Sequence, residues 1–383
     1  MTDEILPFAI DVPDEQLEDL LRRLRHTRWP EAETVAGSGE PWSQGMPLHW
    51  AQELCRYWAE DYDWRSTEAR LNALPQYRTV IDDLAIHFIH VRSPHEHAMP
   101  LVLTHGWPGS VVEFLKVIGP LTDPTAHGGD AADAFHVVVP SLPGFGWSDK
   151  PEHTGWKIPR IAMAWEQLML RLGYDRFFAQ GGDWGSMVTA ALAAGHPAHL
   201  AGIHLNMPIV IPDPDTMVDL SESEMAALGS FEHYQRWESG YSAQHASRPQ
   251  TVGYGLADSP VGQMAWIVEK FWAWTDCDGD PLNVLTSDEL LDNVMAYWLT
   301  NSAASSARLY WESFHDLDVR EISVPTGCSI FPHEIFRTSR RWAEKRFTDL
   351  RHFGELDKGG HFAAFEQPEL FVAEVRESFR TMR

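Results

Sequence analysis

The sequence predicts an α/β fold with a mostly parallel central sheet and helices on both of its faces. The first observation is a series of short apolar segments separated by helical segments, the pattern of βαβ units. These strands are predicted at 100–104, 135–140, 175–180 and 200–205. The second observation is that strand signals stop near residue 211, resume at 324–331 and 350–356, and give way to a final helix from Pro368.

The segment that precedes this series has its own pattern. One helix is predicted from Asp14 and another over 48–62, and two strands follow near 77–82 and 84–92, where apolar and polar residues alternate. We therefore expect an N-terminal region at 1–95, a core at 96–210 and 311–383, and a helical cap at 211–310. A parallel sheet interrupted by a helical cap after its sixth strand is typical of the α/β-hydrolase fold.

Charge and composition exclude some classes of partner. The 383 residues include 55 acidic and 30 basic side chains, for a net charge of −25. Nucleic acids and anionic membranes attract a positive surface, so we expect neither as a partner. A 44% apolar content with 17 tryptophans is enough for a sizeable core.

Cysteine usage and the N-terminal residues indicate a soluble, cytoplasmic protein. Cys55, Cys277 and Cys328 are scattered and odd in number, which favours reduced structural thiols. The first residues are acidic and contain Pro7 and Pro13, unlike a signal peptide. No apolar stretch approaches the roughly 20 residues that span a bilayer.

Asp183 is the candidate nucleophile. It lies in the sequence FAQGGDWGS, where an apolar strand leads into glycines on both sides of the aspartate. This is the pattern of the strand-to-helix elbow of α/β-hydrolases, in which small residues allow a tight turn beside the nucleophile. A carboxylate nucleophile attacks an alkyl carbon and becomes an ester, so the pattern favours ring opening or displacement at carbon. The alternatives are a surface Asp that caps a helix and a phosphate-binding loop.

Two further loops complete the candidate site. HGWPGS at 105–110 follows a strand, and its Trp107 N–H, with that of Trp184, is predicted to form an oxyanion hole. Pro108 has no N–H and cannot serve, and a plain turn around a buried His is the alternative. His361 lies in a Gly-rich loop before the last helix, where this fold places its base.

Glu334 is the candidate acid that orients His361, because it follows the predicted strand at 324–331. Its rivals are Asp357, four residues before the histidine, and Asp213 or Asp215 near the start of the cap. A solvated surface Glu334 is the remaining alternative.

Taken together, these motifs resemble those of the microsomal-type epoxide hydrolase family over nearly the whole chain. The resemblance rests on DEQLEDLLRRLRHTRWPE, HGWPGS, PSLPGFGWSDKP, GGDWGS, WESGY, DSPVG, EKFWAW, VPTGCSIFPHE and GGHFAAFEQP. It implies an N-terminal region that wraps the core, with Asp183 as nucleophile, Glu334 as acid and His361 as base. It also implies that Tyr241 and Tyr310 of the cap bind the epoxide oxygen. Animal members carry a hydrophobic N-terminal anchor, and its absence here predicts a protein that is not attached to a membrane.

The predicted reaction converts an epoxide into a vicinal diol without a cofactor or metal. No HExxH or similar ligand spacing is present. The aromatic residues of the cap predict an apolar or aromatic pocket, with Trp237, Trp272 and Trp298 as candidate substrate contacts. The substrate itself and its stereochemistry stay open, and a flat apolar face on the N-terminal region would allow a homodimer. The alternatives are a haloalkane dehalogenase, which shares the Asp nucleophile, and a non-catalytic ligand-binding protein on the same scaffold.

Overall fold

A single nine-stranded sheet runs through the protein. The structure, a computed structural model, describes residues 4–35, 40–195 and 197–383. The strands are β1 (Ile5–Phe8), β2 (Gln76–Ile81), β3 (Leu84–Val91), β4 (Met99–Thr104), β5 (Phe135–Pro140), β6 (Phe177–Gly181), β7 (Leu200–Leu205), β8 (Thr326–Ile330) and β9 (Leu350–Glu355). Their order in the sheet is β1-β2-β3-β5-β4-β6-β7-β8-β9.

The sheet is antiparallel at one edge and parallel through the rest. β1, β2, β3 and β5 pair antiparallel, whereas β4 to β9 run parallel to one another. The predicted α/β-hydrolase fold is confirmed, and the six strands predicted ahead of the helical insertion correspond to β2–β7. β1 is an additional strand that the sequence did not predict, because its four residues show no clear alternation and two of them are exposed.

Fifteen α-helices surround this sheet in the described part of the chain. They are α1 (Asp14–Arg25), α2 (Leu48–Glu60), α3 (Trp64–Asn72), α4 (Leu115–Thr122), α5 (Ile158–Arg171), α6 (Asp183–Gly195), α7 (Glu222–His233), α8 (Gly240–Ser247), α9 (Pro249–Asp258), α10 (Pro260–Trp274), α11 (Ser287–Trp298), α12 (Ala303–Ser313), α13 (Arg340–Arg346), α14 (Ala363–Glu366) and α15 (Pro368–Arg380). None of the helices in the described residues has the length and apolar character that a bilayer crossing requires.

Two helices of the insertion between β7 and β8 begin with a capping box. Ser221 and Glu224 form a capping box at the start of α7, and Thr286 and Glu289 form another at α11. Each box satisfies N–H groups that the first turn of a helix cannot pair internally. The sequence signals for these helices are therefore local and strong.

Polar contacts attach the insertion to its neighbours. Asp292 of α11 is buried and accepts hydrogen bonds from Tyr62 (2.8 Å) and Thr67 (2.5 Å) of the N-terminal segment. On the core side, Asn293 donates to the Pro108 carbonyl at 2.7 Å, and Tyr297 donates to the Gly109 carbonyl at 2.7 Å. The insertion is thus fastened to the loop that follows β4, at the carboxyl ends of the parallel strands.

Candidate active site

The register of the sheet brings two of the predicted loops together. Thr104, the last residue of β4, pairs with Gly181, the last residue of β6. The loop that contains Trp107 and the turn that contains Asp183 therefore leave the sheet side by side. In parallel α/β sheets this carboxyl edge is where ligands bind.

Asp183 lies in a strained turn between β6 and α6. Its φ of +50° falls in the left-handed region, which non-glycine residues rarely adopt. The turn is tight because the first turn of α6 packs against the end of β4. A side chain at Gly185 would place a carbon 1.9 Å from the Thr104 carbonyl oxygen, so only glycine fits there. The elbow predicted from the sequence is present.

One oxygen of the Asp183 carboxylate is held by the backbone. The Trp107 N–H donates to Asp183 Oδ1 at 2.7 Å. Because α6 begins at Asp183, the Trp184 N–H lies in the first turn of the helix, where N–H groups have no partner within the helix. The Trp107 N–H therefore contacts the carboxylate directly, and the Trp184 N–H is available at the start of the helix.

His105, in the same loop, has a structural position. Its Nε2 accepts a hydrogen bond from the Leu142 N–H at 3.1 Å. Burial lowers the pKa of His105 to about 4, so the ring is neutral at physiological pH. A neutral ring that accepts a backbone hydrogen bond fixes the loop.

His361 bridges two carboxylates. Its Nδ1 lies 2.6 Å from Glu334 Oε1, and its Nε2 lies 3.3 Å from Asp183 Oδ2. Glu334 is oriented in turn by the Ile335 N–H, which donates to Oε1 at 2.7 Å. The His361 N–H donates to the Trp274 carbonyl at 2.8 Å, so α10 of the insertion helps to hold the loop. All three side chains are buried.

The charge of this group follows from its surroundings. Burial alone lowers the pKa of His361, but the charges of Glu334 and Asp183 and the hydrogen bonds to both raise it well above its usual value. The ring is therefore an imidazolium in the free protein and is paired on both sides.

The rival acids lie elsewhere. Asp357 and Asp215 are exposed. Asp213 accepts a hydrogen bond from the Asp215 N–H at 3.0 Å and forms an ion pair with Lys345 at 3.2 Å. Only Glu334, among the four carboxylates considered, contacts His361.

Tyr241 and Tyr310 meet above the nucleophile loop. Their hydroxyl oxygens are 3.3 Å apart, and the Tyr241 ring stacks on the Trp107 ring with centroids 4.7 Å apart. The Tyr310 ring packs edge-on against Trp184, also at 4.7 Å. Burial is the main cause that raises the pKa of both phenols well above 10, so both keep their protons. A third phenol, Tyr234, lies 3.4 Å from the Tyr241 hydroxyl, and the sequence analysis missed it.

An apolar cavity of about 440 Å³ is lined by Asp183, Tyr241 and Tyr310. The rest of its wall is mostly apolar and comes from the segments after β7 and β8 and from α6, α7 and α12. These side chains include Trp184, Met187, Met207, Ile209, Val210, Phe231, Phe314, Ile335, Phe336 and Trp342. A more voluminous surface groove, of about 900 Å³, is lined by residues such as Arg308 and Trp311 and does not reach Asp183.

The prediction that three cap tryptophans contact the substrate is corrected by their positions, because all three lie outside the 440 Å³ cavity. Trp237 is 65% exposed. Trp272 stacks on Trp42 at 5.1 Å, and Trp298 lies beneath the guanidinium of Arg23. None of them lines the 440 Å³ cavity in the described structure. They were chosen because the cap is rich in aromatic residues, and that composition does not reveal which helix face points inward.

Metal ligation finds no support in this part of the molecule. Within residues 4–35, 40–195 and 197–383, no three His, Cys, Asp or Glu side chains are grouped as ligands of one ion.

A sheet of this order, with the Asp183 carboxylate on the tight turn after β6, defines the α/β-hydrolase class. Residues 5–114 match the family described as "Epoxide hydrolase N terminus", and residues 99–250 match "alpha/beta hydrolase fold". The chain therefore belongs to the epoxide hydrolase family, as its relatives also show, and it is an enzyme that hydrolyses epoxides.

Three relatives illustrate the similarity. The chain is 58% identical to the protein named "Putative epoxide hydrolase" of Stigmatella aurantiaca strain DW4/3-1, over 99% of this chain and 86% of that protein. It is 35% identical to Epoxide hydrolase 1 of Oryctolagus cuniculus, over 97% of this chain and 88% of that protein. The crystal structure of juvenile hormone epoxide hydrolase from Bombyx mori superimposes with a TM-score of 0.90 at 32% identity, over 99% and 95% of the two chains.

Proposed function

We propose that this enzyme opens an apolar epoxide through a covalent ester on Asp183. The observation that supports this most directly is the unequal environment of the two carboxylate oxygens. Oδ1 accepts the Trp107 N–H, whereas Oδ2 lies 3.3 Å from His361 Nε2, and Asp183 lines the apolar cavity. Oδ2 is therefore the oxygen that we assign to the attack on an epoxide carbon.

Ring opening needs a donor for the departing oxygen. As the carbon–oxygen bond of the epoxide breaks, negative charge develops on that oxygen. Tyr241 and Tyr310 keep their protons and line the same cavity as Asp183. Two phenols 3.3 Å apart can both donate to one oxygen, and an alkoxide is basic enough to take a phenol proton. We assign both tyrosines, and the segment 211–310 that carries them as a cap, to this step.

Hydrolysis of the ester needs a base. Once Oδ2 is bonded to carbon, Asp183 no longer carries a charge, and one of the causes that raise the pKa of His361 disappears. The pKa of His361 then falls and the imidazolium releases one proton, which balances the proton that the alkoxide took from a phenol. The neutral ring can then accept a proton from water while Glu334 holds its Nδ1–H. Water attacks the ester carbonyl carbon, the oxyanion forms on Oδ1 beside the N–H groups of Trp107 and Trp184, and the diol leaves.

The cavity indicates the substrate class. A volume of about 440 Å³ with mostly apolar walls suits an epoxide that carries an alkyl or aromatic group, because burial of such a group is favourable. The polar groups that we assign to the reaction lie at Asp183 and the tyrosines, so we expect the epoxide ring to bind there and the apolar substituent to extend along the wall formed by Met207 and Phe336.

A single turnover in water enriched in oxygen-18 tests the covalent route. With enzyme in excess over styrene oxide, we expect the label to enter the Asp183 carboxyl group and the diol to stay unlabelled, because the diol oxygen comes from Oδ2. Mass spectrometry of the peptide that contains Asp183 measures this. Label found only in the diol would mean that water attacks the epoxide directly. Bromide release from a bromoalkane panel, in the absence of diol from an epoxide panel, would instead support the dehalogenase reaction.

Replacing either tyrosine by phenylalanine should slow ring opening. We expect Tyr241→Phe and Tyr310→Phe each to lower the rate of ester formation by about 10²-fold, the cost of removing one donor to a developing oxyanion. The double variant should lose more than either single one. Rapid-quench measurement of the ester and stopped-flow tryptophan fluorescence can both follow this step. Tyr254→Phe is the matched control because this cap tyrosine is 69% exposed, and an equal loss there would contradict the assignment.

A further inference from the structure

A second, much smaller cavity adjoins the nucleophile. Its volume is about 20 Å³, and it shares only Asp183 with the 440 Å³ cavity. Asp183 therefore lines two cavities. One is large and apolar, and the other has room for one water molecule, which requires roughly 10–15 Å³.

The polar lining of the small cavity suits a reacting water. Besides Asp183, its polar side chains are those of Glu113, Asn206 and His361. A buried water is stable when it has two to four polar partners. The remaining walls include the buried apolar side chains of Phe114, Phe362 and Phe371.

Glu113 has no other use for its carboxyl group. It lies in the short helical turn Val111–Phe114, directly after the loop that contains Trp107, and it is partly buried. Within the described residues its carboxyl group makes no hydrogen bond or ion pair. A side chain at Gly109 would come within 3.0 Å of both carboxyl oxygens, so the glycine leaves the room that the carboxyl group occupies.

Asn206 is the complementary donor. Its Oδ1 accepts a hydrogen bond from Gln180 at 2.8 Å, which orients the amide. Its Nδ2 donates to no group in the part of the chain that the structure describes. A carbon added at Gly182 would lie 2.7 Å from this nitrogen, so the amide presses against the nucleophile turn.

The charge state of Glu113 fits the same use. Burial raises its pKa to about 8, the charge of His361 opposes the rise, and the charge of Asp183 adds to it. At neutral pH Glu113 is therefore a neutral carboxylic acid, which can both donate and accept a hydrogen bond. A neutral group also places no second negative charge beside the nucleophile.

We propose that Glu113, with Asn206, positions the water that hydrolyses the Asp183 ester. This assignment rests on the covalent route proposed above. The water lies in the 20 Å³ cavity and accepts a hydrogen bond from Asn206 Nδ2. It donates one O–H to the C=O oxygen of the Glu113 side-chain carboxyl group and the other to His361 Nε2. Its oxygen then bonds to Cγ of Asp183 as its proton moves to His361. When the bond between Cγ and the substrate oxygen breaks, the proton passes from His361 to that oxygen and the diol is complete.

Acid-quench measurements distinguish the two half-reactions, formation of the Asp183 ester and hydrolysis of that ester. We expect Glu113→Met, which keeps the length of the side chain but cannot hydrogen-bond, to slow ester hydrolysis by about 10- to 100-fold, the effect of losing one or two hydrogen bonds. Ester formation should stay within about 3-fold of the wild-type rate. Glu113→Gln keeps a neutral donor and acceptor and should hydrolyse the ester within about 3-fold of wild type. Glu53→Met, at an exposed position on α2, is the control.

Three results would overturn the water site. They are wild-type hydrolysis in Glu113→Met, an equal loss of both half-reactions in that variant, and Glu113→Gln as slow as Glu113→Met. The covalent route has its own readout in the same experiment. If no ester forms even in His361→Gln, the route itself is wrong and the water site fails with it. If the ester forms and Glu113→Met hydrolyses it normally, only the water site fails.

Discussion

Asp183→Ala is expected to lower the turnover of styrene oxide by at least about 10⁴-fold, because it removes the atom that forms the new bond. No other carboxylate in the described structure lines the 440 Å³ cavity, so no neighbour can replace the nucleophile. The measurement is the initial rate of diol formation with a folded variant, verified by circular dichroism. Alanine is preferred to asparagine because asparagine can deamidate to aspartate and restore activity.

Asp357→Ala is the matched control for this loss. Asp357 is an aspartate near His361 in sequence, but it is exposed. We expect this variant to keep its rate within about 2-fold of wild type, since exposed substitutions away from the site have small effects. Turnover close to the wild-type rate in Asp183→Ala, or an equal loss in Asp357→Ala, would show that the nucleophile has been misassigned.

His361→Gln is expected to trap the ester. Asp183 can still attack the epoxide, but no base remains to take the proton of water, so hydrolysis should fall by about 10³- to 10⁴-fold. Intact-protein mass spectrometry after acid quench should then show one substrate mass added to nearly every molecule. His352→Gln is a suitable comparison, because His352 of β9 pairs with Glu374 of α15 and does not line the cavity. The prediction is contradicted if His361→Gln forms neither the adduct nor the diol.

The wild-type enzyme should show the same base in its pH dependence. In the free enzyme the pKa of His361 is raised well above its usual value, and Asp183 is one of the causes. Ester formation removes that charge, so the pKa of His361 in the ester is lower. Hydrolysis needs the neutral ring, and its rate should therefore rise with pH until that lower pKa is passed. Single-turnover decay of the ester across a pH series measures this, and a decay rate that falls as pH rises would be inconsistent with a neutral base.

The local motifs were readable from the sequence because each is contiguous. The elbow at Asp183 depends on glycines within two residues of it. The loop with Trp107 is recognised by its glycines and the strand before it, and the loop with His361 by its glycines and the helix after it. The parallel sheet was readable for a related reason, since buried parallel strands are short apolar runs. Family membership, found in the comparisons, agrees with the resemblance that these segments carry.

Other features depended on contacts between distant segments. β1 is a strand because it pairs with β2, some seventy residues later, and its own pattern is weak. Trp237, Trp272 and Trp298 were wrong as pocket residues because helix composition does not say which face is buried against the core. Tyr234 and Glu113 were missed because one resembles any cap aromatic and the other any acidic residue after a loop.

By itself, the sequence determined which residues can perform the chemistry: a carboxylate on a tight turn, a histidine in a glycine-rich loop and an acid after a strand. Local backbone preferences and covalent neighbours are enough for that. The tertiary structure alone decided that Glu334 is the acid that contacts His361 and that Asp183 borders two cavities of different size and polarity. Glu334 and His361 are 27 positions apart in the sequence, and the two cavities are lined by segments from distant parts of the chain. Only the packing of the sheet, the loops and the inserted helices brings such residues together.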